Sequence, residues 1–179
     1  MKKIAILAVS LLVVAGSYAQ GTVNFANAGA GLNAPIFDEN GTTKLAGAGF
    51  MVELLAGTTA TSLAAVGTPT TFLSGGGAGY FNGGVITVPG IAAGTSGFFA
   101  VRAWNDSLGA TYALASAAGH GYGTSSPFQV TTGGAGTPAG PPATLVGLTS
   151  FSLVAAVPEP STIALGLLGA AALLLRRRK

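Results

Sequence analysis

The chain holds one histidine, His120, with Asp106 and Ser107 upstream of it and Ser125 and Ser126 just downstream. These are the residue types of a hydrolytic triad, in which a carboxylate orients an imidazole and the imidazole takes the serine proton. The setting argues against that chemistry. His120 lies in Gly119-His120-Gly121-Tyr122-Gly123, a loop expected to hold an imidazole poorly, and no Gly-x-Ser-x-Gly nucleophile elbow is present. Asp38, Glu39 and Glu53 are the candidates for a carboxylate pair of the glycosidase type. Asp38 and Glu39 are adjacent, so on a strand they would face opposite ways; a solvated turn is the simpler reading. Asp38-Glu39-Asn40-Gly41 echoes a calcium loop but lacks the alternating ligands and the closing glutamate. The glycine run Ser74–Gly79 lacks the lysine and helix of a phosphate cradle. Asn40-Gly41-Thr42 and Asn105-Asp106-Ser107 fit the glycosylation triplet, a pattern short enough to arise by chance. Tyr80, Phe81, Trp104, Tyr112 and Tyr122 are a candidate stacking platform for sugar rings, with Trp104 and Tyr80 the residues expected to carry it. No catalytic residue, metal ligand or cofactor is assigned on these grounds, and the chain is expected not to be an enzyme.

The elements that would position these residues read as strands. Thr22–Ala26 alternates apolar and polar residues. Ala34–Phe37 and Thr43–Leu45 flank the turn Asp38–Gly41, and Asn-Gly is a strong hairpin signal because both residues tolerate positive φ. Phe50–Leu55 places Phe50, Val52 and Leu54 on one face. Asn82-Gly83-Gly84 between Tyr80-Phe81 and Val85–Val88 predicts a second hairpin. Phe98–Trp104 is the clearest strand, with Phe99, Val101 and Ala103 on one side and Phe98, Arg102 and Trp104 on the other. Phe128–Val130 and Leu148–Val154 follow, and Ala113–Ala118 offers at most a turn of helix before Gly119. Short strands between Gly, Asn and Pro turns predict an all-β sandwich or jelly-roll-like domain over 20–156, with a Gly/Pro-rich loop at 131–142. Its expected core includes Phe25, Phe50, Val52, Leu54, Phe99 and Val101.

Charge and cysteine narrow the partners. Of 179 residues only 7% are charged, against roughly 25% in ordinary soluble domains. The formal charge of +3 comes from the ends: Lys2, Lys3, Arg176, Arg177, Arg178 and Lys179 supply six of the eight cations. Between Gln20 and Val157 only Lys44 and Arg102 oppose Asp38, Glu39, Glu53 and Asp106. Nucleic-acid binding needs clustered cations to displace phosphate counterions, so the middle of the chain is not expected to bind it. There is no cysteine, which removes disulfides, thiolate metal sites and cysteine nucleophiles.

Both ends carry addresses. Residues 1–19 have the three parts of a secretory signal peptide: Lys2-Lys3, the apolar run Ile4–Ala15, and the small residues Ser17 and Ala19 around a signal-peptidase bond between Ala19 and Gln20. An uncleaved anchor is the competing reading. The other end reads Val157-Pro158-Glu159-Pro160-Ser161-Thr162, then the apolar Ile163–Leu175, then Arg176–Lys179. The prolines resist helix and keep the segment open to a protease cleft. Ser161 or Thr162 can cap a helix over 162–175. Thirteen apolar residues make a helix about 20 Å long, short of the roughly 30 Å hydrocarbon core. Such a marginal span suits a temporary stop. The basic tail 176–179 holds the C-terminus on the cytoplasmic side.

In order and composition, Val157–Lys179 closely resembles the PEP-CTERM sorting signal of diderm bacteria. The resemblance implies recognition of Pro158, Glu159 and Pro160 by an exosortase-type membrane enzyme. It also implies passage to the cell surface or an exopolysaccharide matrix. An ordinary single-span anchor behind a proline-rich stalk is the alternative for the tail. Val101–Trp104, Asp38–Gly41 and Pro127–Val130 resemble passages of other exported PEP-CTERM proteins, a likeness that carries no activity. The expected function is therefore that of an exported, non-catalytic surface or matrix protein. Its expected partners are signal peptidase, the exosortase-type processing enzyme and, transiently, the membrane, with exopolysaccharide a further candidate. A carbohydrate-binding module and an anchored surface hydrolase are the other two readings.

Overall fold

The computed structural model describes residues 19–156. Two expected segments, the signal helix within 1–19 and the sorting segment 157–179 with its membrane helix at 162–175, lie outside the described residues except for Ala19. Among the described residues no helix is long and apolar enough to cross a membrane.

The described chain is built from strands. They are β1 (Gln20–Ala26), β2 (Ala28–Gly29), β3 (Leu32–Asn33), β4 (Phe50–Thr59), β5 (Ser62–Thr71), β6 (Asn82–Ala92), β7 (Ser96–Asn105), β8 (Tyr122–Thr124), β9 (Phe128–Thr131) and β10 (Ala143–Thr144). A single turn of α-helix, α1 (Tyr112–Ser116), interrupts them. β10, β1 and β6 form one sheet in that order, with β10 parallel to β1 and β6 antiparallel to it. β5, β4 and β7 form a second, antiparallel sheet. The far edge of β7 is shared: β8 pairs with Arg102–Trp104 and β9 with Ser96–Phe99. β2 and β3 make a separate small hairpin.

Alternation explains how the sheets meet. Val23 and Phe25 of β1 and Ile86 and Val88 of β6 join Val52 and Leu54 of β4 and Phe99, Val101 and Ala103 of β7 in one buried cluster. The two sheets thus face each other across a shared apolar core, and the fold is all-β. Phe25, Val52, Leu54, Phe99 and Val101 are fully buried as expected, whereas Phe50 is only partly buried and packs against the cluster. Phe25 and Phe81 lie 4.7 Å apart by ring centroid, and Phe72 meets Phe81 edge to face at 5.9 Å. A buried amide locks the end of this core. Asn27 Nδ2 donates to the carbonyls of Ala34 (2.7 Å) and Gly79 (2.8 Å), and its Oδ1 accepts from Phe81 N–H (2.8 Å). It satisfies three backbone groups that burial would otherwise leave unpaired.

Four expectations change. Asn82-Gly83-Gly84 is not a hairpin but the start of the continuous strand β6; Gly84, at φ 74°, marks an irregularity in its register with β1. Only glycine adopts that backbone without strain, and the same residues serve a bulge as well as a turn. Leu148–Val154 is not a strand. It is an extended segment bonded through Phe37 and Tyr122, with a single bridge between Phe37 and Ser152. Ala34–Phe37 and Thr43–Leu45 likewise form no strands and are joined to each other by the bridge between Phe37 and Lys44, although the turn between them forms, with Asp38 N–H donating to Thr43 O at 2.7 Å. β5 had no counterpart in the sequence reading. It is Ala- and Thr-rich, mostly exposed, and pairs only with β4, so it needs few large apolar residues to form.

Candidate functional site

Two clusters of polar side chains stand out. The first is built by the cross-strand register of β4 and β7, which sets Glu53 directly opposite Arg102. Both point away from the core face that Val52, Leu54, Val101 and Ala103 occupy. Arg102 Nε donates to Glu53 Oε1 at 2.6 Å, with the carboxylate side chain 10% exposed. The guanidinium lies 4.5 Å from the centre of the Tyr112 ring, a cation–π contact. Tyr112 in turn meets Trp104 edge to face at 6.1 Å and Tyr122 at 5.8 Å, and its hydroxyl shares a 2.8 Å hydrogen bond with Thr124 Oγ1. Tyr112 is the first residue of α1, whose end is capped by Thr111 Oγ1 accepting from Leu114 N–H. The helix turn and the sheet face enclose a pocket of about 210 Å³, lined among others by Glu53, Arg102, Trp104, Tyr112 and Ala113.

The second cluster joins three segments that are far apart in sequence. Glu39, in the Asp38–Gly41 turn, receives His120 Nδ1 at 2.8 Å on Oε1. Its Oε2 accepts from the backbone N–H of Ala156 at 3.3 Å. The His120 hydrogen bond, more than any other contact, holds the Glu39 carboxyl below the usual carboxylate range; partial burial opposes this and the Ala156 N–H adds to it. The glycine loop does not leave His120 loose. Gly121 N–H donates to Val154 O, and Gly121, at φ 71°, passes so close to Leu108 that a Cβ there would collide with it. Glycine is what brings the loop down on the turn and the departing chain.

The expected sites fare differently. His120 and a carboxylate do meet, but the partner is Glu39. Ser125 Oγ accepts from Val101 N–H (3.0 Å) and donates to Ser126 O, bridging the gap in pairing between β8 and β9. Ser107 Oγ donates to Asn105 Oδ1. These serines have structural partners, and no triad assembles from the expected residues. Asp38 Oδ1 accepts from Glu39 N–H, and Glu53 is engaged by Arg102. Nor does the expected platform form. Phe81 and Trp104 are buried, at 2% and 1% exposure, and offer no open ring face. Tyr80 lies elsewhere, its hydroxyl donating to Asn33 Oδ1 and its ring under Lys44 Nζ at 5.3 Å. Missing from the sequence reading were the pairings of Glu53 with Arg102 and of Glu39 with His120. The alternation that put Arg102 and Trp104 on one face was the available signal for the first. Ala19 and Gln20 stand where the chain enters β1, with Ala19 O accepting from Ala93 N–H. Pro158, Glu159, Pro160 and the basic residues Arg176–Lys179 lie outside the described residues.

Comparison with known families bears on that last segment. Residues 156–179 match the family model of the PEP-CTERM protein-sorting motif. No curated protein and no solved structure matches the chain significantly. The chain therefore carries the sorting motif of an exosortase substrate, which implies export, transient anchoring through the C-terminus and processing by an exosortase-type enzyme. The matched segment opens at Ala156, the residue whose N–H Glu39 holds.

Proposed function

We propose that the protein is an exported, non-catalytic component of the cell surface or extracellular matrix. The exosortase-type enzyme detaches its β-sandwich domain from a C-terminal membrane stop. The observation that carries this reading is the sequence of Pro158-Glu159-Pro160, apolar run and basic cluster, in that order, within the segment 156–179 that matches a sorting motif. On this reading Pro158, Glu159 and Pro160 are substrate residues, read by the enzyme in extended form because neither proline supports a helix. Arg176–Lys179 stop transfer and fix orientation. The surface role is supported by the chain's low charge, its lack of cysteine and the structural contacts made by Ser107, Ser125 and Glu53.

The test is the intact mass and fractionation of the protein in its native host, beside a variant with Pro158, Glu159 and Pro160 replaced by Ala. The native chain is expected at the surface without its tail, and the variant full-length in the membrane. Equal amounts of full-length membrane protein for both would make the tail a plain anchor and overturn the reading.

A further inference from the structure

We propose that the pocket between α1 and the outer face of β4 and β7 is a binding subsite for one neutral sugar ring. The proposal stands apart from the sorting reading and rests on four features of the pocket.

The first is an unspent set of donors and acceptors. Arg102 uses Nε on Glu53, and its two terminal amino groups make no hydrogen bond among the described residues; neither does Glu53 Oε2. Four N–H donors and a carboxylate oxygen thus stand side by side. Vicinal hydroxyls, each donor and acceptor at once, match that pairing. Second, the pair is already neutral. An anion entering would meet Glu53 and a cation would meet Arg102, so an uncharged ligand is favoured. A zwitterionic amino acid matches the charges but must shed two hydration shells to enter. Third, the walls are apolar and aromatic, with Tyr112 and Ala113 on the α1 side; they suit the C–H face of a pyranose. Fourth, about 210 Å³ is smaller than the 300 Å³ at which drug-sized sites begin, which admits one ring and not a chain segment. Trp104 lines the pocket wall.

Trp104 is the only tryptophan, so its emission reports on the pocket alone. The full chain, in a detergent without a sugar headgroup, would be titrated with methyl glycosides of glucose, galactose and mannose, and separately with free amino acids. Tryptophan fluorescence and ligand-detected NMR would be followed together. At least one glycoside is expected to bind with a millimolar dissociation constant and to shift Trp104 emission. Ala113→Leu, at an exposed position that fills the pocket mouth, should abolish the shift. Glu53→Gln should weaken binding about ten-fold. Thermal unfolding of each variant checks that it folds, and Ala113→Leu decides the matter if Glu53→Gln does not. No glycoside signal by either method would overturn the proposal. Binding that persists in Ala113→Leu, or a response to amino acids alone, would overturn it as well.

Discussion

Two carboxylates in this domain take nearly identical contacts and mean different things. Glu53 and Arg102 meet at 2.6 Å, Glu39 and His120 at 2.8 Å. The first pair projects from adjacent strands whose register fixes both Cα positions, and the Tyr112 ring packs against the guanidinium. The second joins two loops, with both side chains about one-third exposed. A strand-fixed pair loses little freedom on forming and is poorly screened; a loop pair must order its own backbone and competes with water. The distance between charged atoms therefore says less than the element that carries them.

Substitution should separate the two most widely. Glu53→Ala leaves a partly buried guanidinium without its partner and is expected to cost about 2 kcal/mol in urea unfolding, below the 3–5 of a fully buried pair because Arg102 keeps some solvent. Tyr112→Leu keeps apolar volume but removes the cation–π and edge-to-face contacts. Its expected loss is about 1 kcal/mol by the same measurement. Glu39→Ala should cost about 0.5 kcal/mol or less, yet it should raise amide exchange at Ala156 selectively. Equal losses for Glu53→Ala and Glu39→Ala would erase the distinction.

Acid probes the loop pair from another side. The Glu39 carboxyl is depressed in the folded state, so its contribution is present above the unfolded carboxylate value near about 4.3. It declines as pH falls through the lower folded value. Amide protection at Ala156 should therefore hold from neutral pH down to about 4.3 as far as Glu39 governs it, then fall. Salt gives the smallest effect. Between about 0.1 M and 1 M the screening length drops from about 10 Å to 3 Å, which should loosen the Ala156 amide measurably while leaving Tm dependence on Glu53 unchanged.

What the sequence disclosed follows from how local each cause is. β1, β4 and β7 were legible because Val23 and Phe25, Val52 and Leu54, and Phe99 and Val101 alternate with residues that face outward. The sorting tail was legible because its prolines, apolar run and cations act through their own chemistry. β5 was hidden because an edge strand owes its conformation to one neighbour, and Ala64, Ala65 and Thr68 advertise nothing. Asn82-Gly83-Gly84 misled because a residue tolerant of positive φ, here Gly84, serves a turn and a bulge alike. The Glu39–His120 pair was invisible because it depends on Gly121 folding a distant loop onto the turn, and no spacing within either segment encodes that approach. The pocket became visible only when α1 was laid over Arg102.

The pairing of β1 also sets an order on the chain's birth. Its partners are β6 and, in parallel, β10 at Ala143–Thr144. The first strand to emerge on the far side of a membrane thus waits for nearly the last before its sheet is complete. Topologies dominated by such distant pairings fold slowly. With no cysteine in the chain, that sheet is closed by strand pairing and packing alone.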